Sequence, residues 1–350
     1  MVKKVPFISL ILLRSFAFSA EDCHSCTPKW VSSIFKTSSE STQDAAEYTT
    51  AFSFKASGVS KVVEKVAIPL NQQDTDYVPI GWGYGSEMIE IETLDDVKVT
   101  GNWSYSVTSQ SSNRVAVMFH GNGMNADGYR PWARWFNQRG LNVLALTIQG
   151  YPGSEGSSEN LPVASALLVE AAFRFALNVK QIPLDQIVVY GFSLGGAYAT
   201  YAGRYFNVPV ILQNTLTSIG DMPQNIVGKY FPGILGRALA RSNLGYQKPM
   251  PKLDNLGVFA ECGEVPLNSF NNIENLRETS SPVMIIYGEN DNLMGGEQRA
   301  RQLYQARYGE ENGLDSDIFV QIPGGGHCDA FLRNENAEAK VEYFLSSLVK

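Results

Sequence analysis

A chain of 350 residues that is 44% hydrophobic and 18% charged has ample apolar material for a core, and it carries no low-complexity run. That balance excludes disordered, collagen-like and coiled-coil architectures. A net charge of −7 does not support phosphate-driven binding, so no nucleic-acid partner is expected. Only three histidines, His24, His120 and His327, are available to any mechanism that needs an imidazole.

The first 19 residues read as a signal peptide. Lys3 and Lys4 precede an apolar run at 5–13, and Ala17 and Ser19 stand as an A-x-A-like cleavage site, although Pro6 and Arg14 interrupt the pattern. The run is too short to span a bilayer, and no other stretch reaches the roughly 18 apolar residues that a transmembrane helix needs. An exported, extracytoplasmic protein is therefore expected. Cleavage after Ser19 removes three cations and no acid, leaving a charge of −10 that disfavours holding anionic lipid by charge alone. Cys23 and Cys26 have C-x-x-C spacing without a second pair of ligands, so a small disulfide or idle thiols are favoured over a zinc site. Cys262 and Cys328 are isolated. Residues 20–86 show little periodicity and read as an N-terminal extension that packs on a larger domain at 87–350.

From residue 87 the pattern changes. Apolar and polar residues alternate over 87–93 and 97–105, as in half-buried antiparallel strands. Continuous apolar runs follow at 115–119, 143–148, 187–190, 210–212 and 283–287, which suit strands buried on both faces of a parallel sheet. Between them, spacings of three and four predict helices at 129–138, 161–178, 195–205 and 297–308. A last strand at 318–322 and a last helix at 336–349 complete a doubly wound, mostly parallel α/β sheet. In such sheets ligands bind beyond the carboxyl ends of the strands, so the turns there are the places to look for chemistry.

Four turns carry distinctive residues. The turn after 115–119 is His120-Gly121-Asn122-Gly123, placed to offer a backbone N–H, that of Asn122, to a developing oxyanion; the plainer reading is that its glycines only shape a tight turn. The turn after 187–190 is Gly191-Phe192-Ser193-Leu194-Gly195-Gly196, a G-x-S-x-G between strand and helix. In a chain with 31 glycines that pattern is weak alone, and the strand-turn-helix context carries it. Ser193 is then an exposed nucleophile, and the Leu194 N–H the second oxyanion donor. A nucleophilic serine needs a base, and the base needs a carboxylate to fix its tautomer. His327, behind Pro323-Gly324-Gly325-Gly326, is the only histidine that follows Ser193. Asp291 leads as the acid, with Glu289, Asp317 and Asp329 as competitors.

These motifs, together with Asn214-Thr215-Leu216-Thr217-Ser218-Ile219 and Gly326-His327-Cys328-Asp329, resemble the α/β-hydrolase-domain serine hydrolases. The closest likeness is to the membrane-associated subgroup related to protein depalmitoylases. The resemblance implies an α/β-hydrolase fold over 87–350, with Ser193 as nucleophile, Asp291 as acid, His327 as base and the amides of Asn122 and Leu194 as oxyanion hole. It implies no metal or organic cofactor. One loop departs from the family pattern: Thr147, Gln149 and Pro152 stand where Asp, Arg and Gly are common, which puts its geometry in question.

Residues 219–281 are longer than a simple connection and are expected to form a helical cap insertion, with apolar residues at helical spacing over 226–239 broken at Pro232-Gly233. The cap either packs on the core or presents an apolar face to an acyl chain or a membrane, so peripheral membrane contact is open. The substrate class is an acyl ester or thioester, small or lipid. The alternative is a catalytically silent scaffold that binds a partner or lipid through the extension and cap.

Overall fold

Eight strands form one sheet in the computed structural model, which describes residues 82, 85–107, 113–122, 124–156, 161–218, 271–310 and 313–349. The leader, most of the extension with Cys23 and Cys26, Cys262 and the cap helices expected over 226–239 lie outside the described residues. The strands are β1 (Ser86–Glu92), β2 (Lys98–Ser104), β3 (Val115–Phe119), β4 (Asn142–Leu146), β5 (Ile187–Phe192), β6 (Val210–Gln213), β7 (Val283–Gly288) and β8 (Phe319–Ile322). Their order is β1-β2-β4-β3-β5-β6-β7-β8.

The pairing follows the two patterns seen in the sequence. The alternating strands β1 and β2 pair antiparallel with each other, and β2 joins the sheet antiparallel to β4. All pairings from β4 to β8 are parallel. Every residue of β3, β4, β5, β6 and β7 is buried, as continuous apolar runs require when helices cover both faces. At the edge, β1 exposes Met88, Glu90 and Glu92, and charges on an outer strand discourage pairing with other chains.

Among the described residues, six α-helices wind around the sheet: α1 (Arg130–Gln138), α2 (Leu161–Arg174), α3 (Gly195–Phe206), α4 (Asn272–Glu278), α5 (Gly296–Tyr308) and α6 (Glu335–Ser347). Trp135 and Phe136 of α1 and Val341, Phe344 and Leu345 of α6 pack with Ala116, Met118, Tyr190 and Ile211 on one face. Residues of α2, α3, α4 and α5 pack with Val117, Val189, Leu212 and Ile285 on the other. Two apolar layers thus sandwich a central sheet. The apolar spacing predicted to run on to residue 178 is real, but α2 gives way to a π turn over Phe175–Val179.

The end of the expected cap belongs to the scaffold. Residues 272–278, inside the span 219–281 assigned to the insertion, form α4, whose Asn272, Asn275 and Leu276 are fully buried in packing against α3. Ser218 and Asn271 pair as an isolated antiparallel bridge, so the chain leaves and re-enters the fold at one point. The inserted stretch is therefore bounded by that pair.

Candidate active site

Between β5 and α3 the chain reverses within two residues, and Ser193 takes up the strain. Its φ of +52° lies in the left-handed region, which costs a non-glycine residue about 1 kcal/mol or more. Surrounding bonds hold it there: Ser193 N–H donates to the Gln213 carbonyl (3.0 Å), and its own carbonyl accepts from the Thr215 hydroxyl (2.6 Å) and the Gly196 N–H (3.1 Å). The turn also needs close backbone contact. A β-carbon at Gly195 would lie 1.9 Å from the Phe119 carbonyl oxygen, so only glycine fits.

The β8 turn brings His327 to this serine. Ser193 Oγ lies 3.0 Å from His327 Nε2, and His327 Nδ1 lies 2.9 Å from Asp291 Oδ2. Asp291 is 2% exposed, and its other oxygen, Oδ1, accepts from the N–H groups of Leu293 (3.0 Å) and Met294 (2.9 Å). Two amides thus fix the carboxylate's rotation, and Oδ2 is directed at the imidazole. Phe192 packs against the His327 ring at 5.3 Å.

The competing acids have other partners. Glu289 accepts from Gly324 N–H (2.7 Å) and Asp329 from Gly326 N–H (2.7 Å), so these two carboxylates brace the glycine loop that carries His327. Asp317 is exposed ahead of β8. Of the four candidates, only Asp291 reaches the imidazole.

A residue not read as functional from its chemistry ties the acid and base loops together. Asn214, at the end of β6 with φ +47°, accepts from Gly288 N–H (2.7 Å) and donates to the carbonyls of His327 (2.8 Å) and Gly326 (3.3 Å). Next to it, Gln213 donates to the Asp329 carbonyl (2.9 Å) and accepts from the Tyr190 hydroxyl (2.8 Å). The sequence signal was the place of Asn214 at a strand end and in a motif shared with the resembled family, neither of which gives its partners. The partners of Asn214 lie more than 70 residues away.

The turn after β3 lies against the serine. A β-carbon on Gly121 would come within 2.8 Å of the Phe192 ring and 3.1 Å of the Ser193 β-carbon. Asn122 is exposed at the tip of this turn, which is closed by Met124 N–H donating to the Gly121 carbonyl (3.3 Å). Leu194 directly precedes α3, where the helix dipole favours negative charge.

His120 anchors the root of the turn. It is fully buried, and its Nε2 accepts from Ile148 N–H (2.9 Å). An N–H can only donate, so the ring proton sits on Nδ1, which donates to the Gly121 carbonyl (2.9 Å). Burial pushes its pKa down to about 4, so His120 is neutral and structural. In the window between the ordinary value of about 6.5 and about 4, the unfolded chain binds a proton that the folded chain refuses. Stability is therefore expected to fall as pH drops through that window, by up to about 3 kcal/mol. Urea midpoints of the wild type and His120→Gln at pH 7.5 and 4.5 check this. The variant should start lower and fall less, and parallel falls would contradict it.

The loop with unfamiliar residues is well anchored by different contacts. Thr147 Oγ1 accepts from Ala126 N–H (3.1 Å), and buried Gln149 donates to Thr93 Oγ1 (3.3 Å). Thr100 of β2 donates its N–H to Ser154 Oγ (2.9 Å) and its hydroxyl to the Gly153 carbonyl (2.6 Å). At the positions of the missing Asp and Arg, Thr147 is thus tied to the turn before α1 and Gln149 to the antiparallel edge.

A mostly parallel sheet with a serine elbow and an imidazole and carboxylate at neighbouring strand ends is the architecture of α/β hydrolases. The Alpha/beta hydrolase family matches residues 116–341, and the chain belongs to it. It is 30% identical over 162 residues to protein bem46 of Schizosaccharomyces pombe, an alignment spanning 45% of this chain and 53% of bem46. The chain thus covers about half of that relative's length. An esterase of Pyrococcus furiosus superposes with a TM-score of 0.51 at 17% identity, over 75% of this chain and 90% of the esterase. A proline iminopeptidase of Mycobacterium smegmatis gives 0.52 at 17%, over 75% of this chain and 98% of that one. At such identities these two likenesses bear on the fold alone.

Proposed function

We propose that this protein is a serine hydrolase that cleaves a carboxylic ester or acyl thioester through an acyl-enzyme on Ser193. The observation that carries the reading is the continuous contact Asp291-His327-Ser193, at 2.9 and 3.0 Å, in the strained turn beside the β3 loop. His327 Nε2 takes the hydroxyl proton as Ser193 Oγ bonds to the carbonyl carbon; Asp291 holds the Nδ1–H tautomer so that the Nε2 lone pair faces the serine. The carbonyl π electrons move to oxygen, where the N–H groups of Asn122 and Leu194 receive the charge. Collapse of this intermediate expels alkoxide or thiolate, which takes the proton from His327. Water, deprotonated by the same imidazole, then attacks the acyl-enzyme and releases the acid.

A fluorophosphonate probe tests the assignment, because it phosphonylates only a serine activated in this way. The full chain should label, and Ser193→Ala should not. Labelling that survives the substitution, or a wild type that never labels, would sink the enzyme reading and favour a silent scaffold. Comparing p-nitrophenyl esters with acyl thioesters of graded chain length then narrows the substrate class.

A further inference from the structure

Among the described residues, one side chain from a different loop holds the tip of the proposed oxyanion turn. Tyr151, 1% exposed, donates its hydroxyl to Asn122 Oδ1 at 2.7 Å. Its ring stands edge-on to His120 at 4.9 Å. We infer that Tyr151 is a positioning residue for the oxyanion hole, setting the orientation of the Asn122 peptide through the Asn122 side chain. The role rests on the Ser193 chemistry proposed above.

The physical case starts from what the turn otherwise lacks. His120 grips Gly121, and Gly121 is wedged against Phe192 and Ser193, so the root of the turn is fixed. Asn122 is exposed one residue beyond that wedge. A peptide plane at a turn tip can rotate with little change in the flanking chain, and rotation would carry the N–H away from the reacting oxygen. Asn122 Oδ1 pinned to a buried hydroxyl resists that rotation. Burial also raises the Tyr151 ionisation further above its ordinary range, so the hydroxyl remains a donor.

Tyr151 is itself rigidly placed. Its N–H donates to the Ile148 carbonyl (3.1 Å), and its carbonyl accepts from Ser154 N–H (2.9 Å). Ser154 and Gly153 are bonded to Thr100, and Glu155 N–H donates to the Lys98 carbonyl (2.8 Å). The antiparallel edge of the sheet thereby supports the oxyanion turn through one hydroxyl. That gives the loop, whose sequence departs from the family pattern, a definite task.

The test is a double-mutant cycle on turnover of p-nitrophenyl butyrate and inhibition by an alkyl trifluoromethyl ketone, whose adduct with serine carries the same oxyanion. Tyr151→Phe keeps the ring and removes the hydroxyl. Asn122→Ala keeps the backbone N–H and removes the anchor. Each should lower kcat about 10- to 100-fold, less than the roughly 10²- to 10³-fold loss on deleting an oxyanion donor outright, with KM unchanged. Inhibitor affinity should fall by the same factor. The double variant should be no worse than either single one, since both break the same bond. Wild-type kcat in Tyr151→Phe, or multiplicative losses in the double variant, would overturn the inference while leaving the serine hydrolase reading intact, provided Ser193→Ala is dead. A purely structural role would lower the thermal midpoint and leave the inhibitor-to-substrate preference unchanged, which also overturns it. An inactive wild type overturns both.

Discussion

Replacing Ser193 with glycine or alanine is expected to lower kcat by on the order of 10⁴- to 10⁶-fold, the scale seen when the nucleophile of a catalytic triad is removed. The two variants should differ in stability in a direction opposite to the usual one. Glycine inside regular structure is about 0.5–1 kcal/mol less stable than alanine because it loses more backbone freedom on folding. At Ser193 the φ of +52° reverses the preference, since alanine keeps the β-carbon that clashes in the left-handed region. Both variants lose the contact with His327, so their difference isolates the strain. Ser193→Gly is expected to be more stable than Ser193→Ala by roughly 1 kcal/mol. Chemical denaturation of the pair, beside turnover assays, measures both effects. Alanine equal to or more stable than glycine would remove the case for strain at the elbow, and turnover above one part in about a thousand would remove the case for Ser193 as nucleophile.

His327→Ala is expected to cost as much as loss of the serine, and Asp291→Asn about 10⁴-fold. The asparagine loss has a specific cause. With its amide nitrogen toward Nδ1, the ring proton moves to Nε2, and the imidazole then presents a donor to Ser193 where it must present a lone pair. Because the three groups act as a unit, the combination His327→Ala with Asp291→Asn should be scarcely worse than His327→Ala alone. Independent, multiplicative losses would mean that Asp291 acts somewhere other than on the imidazole. His120→Gln supplies the contrast, because the ring nitrogens of neutral His120 bond to the backbone of Gly121 and Ile148. Because His327, and not His120, contacts Ser193 and Asp291, turnover of His120→Gln should fall far less than that of His327→Ala, and equal losses would undo the assignment of the base.

Much of this arrangement was legible because the strands that carry it are buried on both faces and therefore read as uninterrupted apolar runs. Once 187–190 was a strand, Ser193 had to lie in a turn, and the same logic placed Asp291 and His327. Which of four carboxylates would face His327 was ambiguous because sequence distance says nothing of which way a loop folds; in the fold Asp291 lies against the imidazole, its carboxylate oriented by amide contacts to Leu293 and Met294. Helix α4 was overlooked for a different reason. Its buried face carries Asn272 and Asn275, which bond to Thr200 and to the Leu216 carbonyl, so the face toward the core is polar and the apolar periodicity that marks a helix is missing. Tyr151 and Asn214 were illegible as functional residues because what they do depends on partners 29 and more than 70 positions away.

The Ser218–Asn271 bridge bears on how far the length of the chain between its ends can vary. A stretch whose two ends already meet in the scaffold imposes no tension on the sheet, and lengthening such a stretch twofold costs only about 0.6 kcal/mol of closure entropy. The residues between 218 and 271 can therefore be lengthened, shortened or exchanged as a cassette while Thr215 and Asn272, just inside the bridge, keep their bonds to the serine turn and to each other.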